Sequence, residues 1–221
     1  MLKKLFTYRF ELFFFSIMLV LFGSLVFPKD LFTSAIMPVL FLINIASGIV
    51  IFSGRNRQSW FTIVVFFIAL IVFIYRFISR SENATLDYIK VVIYFTFYSL
   101  VTIEIIRQVW NAEAVNKNVI FGLMSGYVAL GLLGFFAFFC IELSNPNSFS
   151  GLLVDGTITN KVDKLLYYSY ITLMTIGYGD ITPVSNVAQK ASMFFAMMGQ
   201  FYLVIVTAIV VGKFISQSSK K

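Results

Sequence analysis

The stretch with the most specific chemistry is Thr175-Ile176-Gly177-Tyr178-Gly179-Asp180. It holds no acid–base pair, no thiol and no metal-ligand set. What it offers is backbone: a run of carbonyls, one threonine hydroxyl, and two glycines able to take angles that other residues avoid. It lies between two long apolar segments, which puts it at or in a membrane. A ring of such carbonyls can replace the water around a cation. No nucleophilic or charged constellation converges elsewhere in the chain, so an enzyme is poorly supported.

The elements that must position this stretch are strongly apolar. Of 221 residues, 59% are hydrophobic, 18% aromatic and 12% charged, against roughly 25% charged in average soluble domains. The mean hydropathy of +0.90 indicates a membrane protein. There is no histidine, which excludes a histidine switch or metal site. Cys140 is the single cysteine. It cannot form an internal disulfide and reads as a buried packing residue.

Apolar runs near the ~20 residues needed to cross a bilayer recur as Phe10–Phe27, Leu31–Phe52, Trp60–Ile78, about Leu86–Trp110, Val119–Leu143 and Ala191–Ile215. The first follows Lys3, Lys4 and Arg9 but has no small-x-small cleavage site, so it reads as a retained helix. Pro38 predicts a kink in the second, and Asn44 is a rare polar group at depth. Gly122, Gly126, Gly131 and Gly134 in the fifth allow close helix approach. Between the fifth and sixth lies Asp163–Met174, about 18 Å of helix, too short to span. A short helix with a glycine-rich return is a re-entrant segment, tolerated at depth only if protein-buried or lining a water-filled path. Asp163 is expected at its start, as a cap or dipole partner. The fold class is therefore an all-α membrane protein of six transmembrane helices, with a re-entrant pore helix and filter between helices 5 and 6. It divides into a four-helix peripheral domain, 1–112, and a pore domain, 113–221.

An even number of spans puts both termini on one face. That face takes Lys3, Lys4, Arg9, Arg55, Arg57, Arg107, Lys117, Lys213, Lys220 and Lys221; the other takes Lys29, Arg76, Arg80, Lys90, Lys161, Lys164 and Lys190. The bias places both termini in the cytoplasm of a multi-pass plasma-membrane protein. Basic residues facing anionic membrane lipids account for the net charge of +7 better than nucleic acid does. The short segment then enters from outside. Arg76 and Arg80 lie one helical turn apart and are expected to snorkel to the interface. The triplet Asn83-Ala84-Thr85 matches a glycosylation acceptor but carries no weight.

The hexapeptide resembles the filter signature of the potassium channel family, T-V-G-Y-G-D, with Ile176 in place of valine. The resemblance is specific over Asp163–Pro183 and weaker over about Val119–Ile215. The six spans resemble the voltage-gated architecture without its gating-charge repeat. What it implies is a potassium-selective channel subunit. Carbonyls of Thr175, Ile176, Gly177 and Tyr178, with the Thr175 hydroxyl, would bind K+ ions in stacked rings, and no other cofactor is expected. Gly177 and Gly179 would permit the alternating backbone. Tyr178 would point away from the axis and pack against the short helix. One such segment per chain requires four chains around the axis, hence a homotetramer.

Around the filter, Tyr167 and Tyr168 stand where many family members have a tandem tryptophan cuff. Ile171 replaces a glutamate or valine, so a carboxyl pair with Asp180 is absent. Thr172 matches; Met174 departs from the usual threonine and is expected to face the inner cavity. Asp180 and Pro183 match the outer mouth. Gly199 stands where the family often has a hinge glycine. On a helical period from it, Leu203, Thr207, Val211 and Ile215 are candidates for the cavity and inner gate. The fourth span carries Lys90 and Arg107 with no basic repeat, so steep voltage gating is not expected; one charge moved through 100 mV yields only about 2.3 kcal/mol. With no regulatory domain after the sixth span, gating would fall to the filter, the inner helices, lipid or a separate regulatory partner. The alternatives are a weakly selective monovalent cation channel and a non-conducting regulatory subunit. A potassium transporter subunit would resemble four degenerate repeats in one chain, and this chain has one.

Overall fold

The computed structural model describes residues 6–28, 31, 32, 36–52, 56–79, 84–152 and 158–219, the side chains of 56–59, 61, 73, 76–79, 84–87 and 158–160 excepted. Lys3, Lys4, Lys29, Arg55, Arg80, Asn83, Lys220 and Lys221, with the Arg57 and Arg76 side chains, therefore lie outside the described residues. Helices dominate: α1 (Arg9–Phe22), α2 (Met37–Phe52), α3 (Asn56–Ser79), α4 (Ala84–Trp110), α5 (Lys117–Ser144), α6 (Ile158–Leu173), α7 (Asn186–Phe201) and α8 (Thr207–Ser218). A π-helical turn, Tyr202–Val206, joins α7 to α8, so Asn186–Ser218 is one continuous rod. Helix is the economical choice for such apolar sequence because it satisfies every backbone polar group within the segment.

By length and composition, Tyr88–Trp110, Lys117–Ser144 and Asn186–Ser218 can cross a membrane, while Met37–Phe52 and Thr62–Val72 are shorter apolar stretches among the described residues. The expected first span, Phe10–Phe27, is shortened: α1 stops at Phe22 and passes into a tight 3-10 turn, Gly23–Leu25. Gly23 lies against the Phe32 ring, a close approach that a side chain would block. Pro38, expected as a kink, is the second residue of α2, directly after a π-helical position at Ile36; such irregular turns are where helices bend around proline. Asp163, expected at the start of the short helix, lies inside α6, which begins at Ile158. At 16 residues, α6 is about 24 Å long, still short of a bilayer core.

α5 is the spine, contacting α1, α4, α6 and α7. Its glycines make room for specific neighbours. Gly126 faces the Tyr202 hydroxyl, Gly131 the Tyr170 ring, and Gly134 the Ser169 hydroxyl and the Phe195 ring. Cys140, expected to be buried, is partly buried against the core. Asn116 opens α5, its side chain accepting from Val119 N at 3.1 Å. That supplies one of the acceptors a helix start lacks.

The peripheral helices are joined by polar contacts inside an apolar bundle. Asn44 is fully buried. Its Nδ2 donates to Ser16 Oγ at 2.8 Å, and its Oδ1 accepts from the Tyr98 hydroxyl at 2.6 Å, linking α1, α2 and α4. At one end, Arg9 Nε donates to Gln108 Oε1 at 2.8 Å. Gln108 Nε2 donates to the Ile51 carbonyl and to Glu104 Oε1, both at 2.9 Å. At that same end Glu11 pairs with Lys117 at 3.6 Å, and Lys213 Nζ donates to the Trp110 and Ala112 carbonyls. Arg9, Lys117 and Lys213 thus share one end of the bundle.

Removing Asn44 takes away the acceptor of the buried Tyr98 hydroxyl, while Ser16 keeps its bonds to the Phe13 carbonyl and Ser47. Asn44→Leu is expected to destabilise the protein by about 1–3 kcal/mol, Tyr98→Phe by less, and the double variant by less than the sum. Unfolding of the purified variants in detergent micelles measures all three.

Candidate ion-conducting site

The candidate filter hangs from the end of α6. Past Leu173 the chain makes a last tight turn: Met174 N donates to the Tyr170 carbonyl at 2.9 Å and Thr175 N to the Thr172 carbonyl at 3.0 Å. Ile176 N then donates to the Ile171 carbonyl at 2.8 Å. From here the backbone alternates. φ is +57° at Thr175, +58° at Gly177 and +81° at Gly179, and not positive at Ile176 or Tyr178. Gly177 and Gly179 meet the sign without strain; Thr175, β-branched, does not. Residues 174–180 are all exposed on the single chain.

The segment is anchored on both sides. After Asp180 the chain forms a two-stranded antiparallel pair between β1 (Phe149–Ser150) and β2 (Thr182–Pro183), Phe149 opposite Pro183. Val184 N donates to the Ser148 carbonyl at 2.8 Å. Glu142, at the end of α5, organises this loop. Its buried carboxylate accepts from Asn147 N at 3.1 Å and Ser148 N at 3.0 Å, and pairs with Lys161 at 3.2 Å. A cavity of about 340 Å³ lies behind the filter's outer end, lined by Gly151, Asp163, Lys164, Tyr167, Asp180 and Ile181. Within it Tyr167 and Asp180 lie side by side, and Lys164 Nζ donates to the Gly151 carbonyl at 2.6 Å.

The flanking residues separate into two sets. Tyr168 and Ile171 are buried. The Tyr168 hydroxyl shares a 2.7 Å hydrogen bond with Ser192 Oγ, and its ring packs at 5.2 Å from that of Phe138. Thr172 is half-buried, Tyr167 is 40% exposed and Met174 50%. Tyr178, expected to pack against the short helix, is 70% exposed on the single chain.

Gly199 behaves as a seat. It is buried in α7, and a Cβ there would collide with the Leu173 carbonyl oxygen. Tyr127 donates to that same oxygen at 3.5 Å. The departure from α geometry comes three residues later, at Tyr202–Val206. There Tyr202, Val206 and Val210 face the protein, while Leu203, Val211 and Ile215 are exposed and Thr207 is half-buried. Two residues in contact with the site were not singled out from sequence. Glu142 stood unremarked at the end of a span. Gln200, whose Nε2 donates to Thr175 Oγ1 at 3.0 Å, is an isolated amide in the apolar run from Ala191 to Val206, and that isolation was its signal.

The seat gives a direct test. Gly199→Ala is expected to lower the melting temperature by several degrees, because the end of α6 must move. Gly212→Ala, where nothing lies within 4 Å, is expected to leave it within about one degree, the range of most surface substitutions. Thermal unfolding in detergent compares the two.

Comparison with known proteins agrees with the geometry. Residues 127–216 match the family model described as "Ion channel". Over 41 residues the chain is 49% identical to "Two-pore potassium channel 2" of Arabidopsis thaliana, covering 19% of this chain and 9% of that one. No solved structure matches the chain. The match to the plant protein thus spans only a small part of that relative. The protein is a mostly helical membrane protein whose residues 127–216 are similar to an ion-channel family.

Proposed function

We propose that the chain is a subunit of a potassium-selective channel in which four copies surround one pore. The observation that carries this is the exposed segment Thr175–Gly179, with positive φ at Thr175, Gly177 and Gly179, held between two helices long and apolar enough to cross a membrane. Alternation turns successive carbonyls toward the same side. Four such edges around an axis give stacked oxygen rings that replace the hydration shell of K+. Thr175, Ile176, Gly177 and Tyr178 would supply the ring oxygens. Tyr167 and Asp180 brace the outer mouth; Tyr168, Ile171 and Thr172 brace the back of the filter. Leu173 ends α6 beside it, so the partial negative charge of that helix end favours a cation below the rings. Met174, Leu203, Thr207, Val211 and Ile215 would line the inner path.

The domain at 1–112 would act as a peripheral unit of a six-span subunit, the filter facing outward from a plasma membrane. Its fourth helix has Lys90 and Arg107 as its only basic residues, too few charges for steep voltage dependence. Control would then come from the filter, the inner helices, lipid or a regulatory partner.

The test is potassium flux into liposomes containing the purified chain. Flux that reverses near the potassium equilibrium potential under opposed K+ and Na+ gradients is expected. A reversal midway between the two would establish weak selectivity, and no flux would leave a regulatory subunit. Gly177→Ala is expected to reduce flux by more than about a hundredfold, since a side chain at positive φ is strained and misaims a ring of carbonyls. Crosslinking in detergent should stop at four copies.

A further inference from the structure

The inner rod reaches the filter through one side chain. Between Ser192 and Thr207 the polar side chains are Gln200 and Tyr202. The Tyr202 hydroxyl donates to the Leu123 carbonyl at 2.6 Å, away from the filter. Gln200 turns the other way, its Nε2 lying 3.0 Å from Thr175 Oγ1. The direction of this bond follows from its neighbour. Thr175 Oγ1 donates its single proton to the Met174 carbonyl at 2.7 Å, so toward Gln200 the hydroxyl can only accept. The amide nitrogen must be the donor.

We propose that Gln200 is a positioning residue of the cation path: its amide N–H occupies one lone pair of the Thr175 hydroxyl and weakens the lowest cation site. This rests on the channel reading above. A hydroxyl oxygen has two lone pairs. With one bonded to the amide, one remains for a cation, and the positive end of the N–H dipole sits beside it. Conduction requires a site strong enough to fill and weak enough to empty, and Gln200 acts on the emptying.

The same bond ties the filter base to the inner rod. Gly199 is seated against the Leu173 carbonyl, which fixes the backbone that carries Gln200. The π-helical turn begins at Tyr202, two residues further on, and such turns are frequent at functional sites. The Gln200 side chain is exposed on the chain, so the fold does not depend on it for packing.

Barium, a divalent cation of nearly potassium's radius, reads the charge at this ring. The experiment measures barium binding to the purified full chain by calorimetry, and barium inhibition of potassium flux in liposomes. Gln200→Met keeps the length and removes the N–H; Gln200→Asn is one methylene too short to reach; Gln200→Glu replaces the donor with a carboxylate. Barium affinity is expected to rise about three- to tenfold in the Met and Asn variants, the scale of one hydrogen bond, and further in the Glu variant, with potassium flux lowered because the base empties more slowly. Unchanged or weaker barium binding in both Met and Asn variants, while the unsubstituted chain binds it, overturns the role of Gln200 and leaves the channel reading standing. An unsubstituted chain that neither binds barium nor passes potassium overturns both.

Discussion

The inner rod can lie against the end of α6 only because Gly199 has no side chain. The Leu173 carbonyl, the last helical oxygen before the candidate filter, occupies the space a Cβ would need. That contact sets the distance between the rod and the segment that follows Leu173. It brings Gln200 within hydrogen-bonding distance of Thr175 and lets Tyr127 of α5 reach the same carbonyl. A helix end in an apolar environment leaves carbonyls unsatisfied. Here two neighbouring helices close around it.

The same device recurs along α5. Gly131 and Gly134 admit Tyr170 and Ser169 of α6, whose hydroxyls donate to the Val128 and Gly131 carbonyls of α5. Gly126 admits Tyr202, which donates to Leu123. Each glycine removes a side chain, and each incoming hydroxyl bonds a helical carbonyl beside the gap. Lipid gives no hydrophobic drive for helices to associate, so close packing and interhelical hydrogen bonds must hold them. Among the described residues that pairing occurs three times between α5 and the segments packed on it.

The peripheral helices use a different arrangement. Their buried polar groups are neutral near the middle, where Asn44, Ser16 and Tyr98 meet, and charged near one end, where Arg9, Gln108 and Glu104 meet. Charge is costly at depth and tolerable near the interface. Among the described residues the hydrogen bonds of Asn44 near the middle link α1, α2 and α4.

Local chemistry was legible in the sequence. Apolar runs marked most helices to within a few residues, because a segment in lipid must satisfy its own backbone. Two glycines two residues apart marked where the chain could alternate its backbone, and the wide spacing of Lys90 and Arg107 excluded a charge ladder on α4. What depended on partners distant in sequence was not legible. Asp163 fell inside α6 because helix starts are set by capping and packing as well as by residue type. Gly199 could be read as hinge or seat until Leu173 was placed against it. Gln200 and Glu142 were lone polar residues whose partners, Thr175 and the loop at Asn147–Ser148, are fixed only when separate helices pack. Sequence alone determined the membrane class and the filter-like segment, since both follow from residues adjacent in the chain. Tertiary structure alone decided which side chains brace that segment, since a hydrogen bond across 25 residues exists only once packing has brought its ends together.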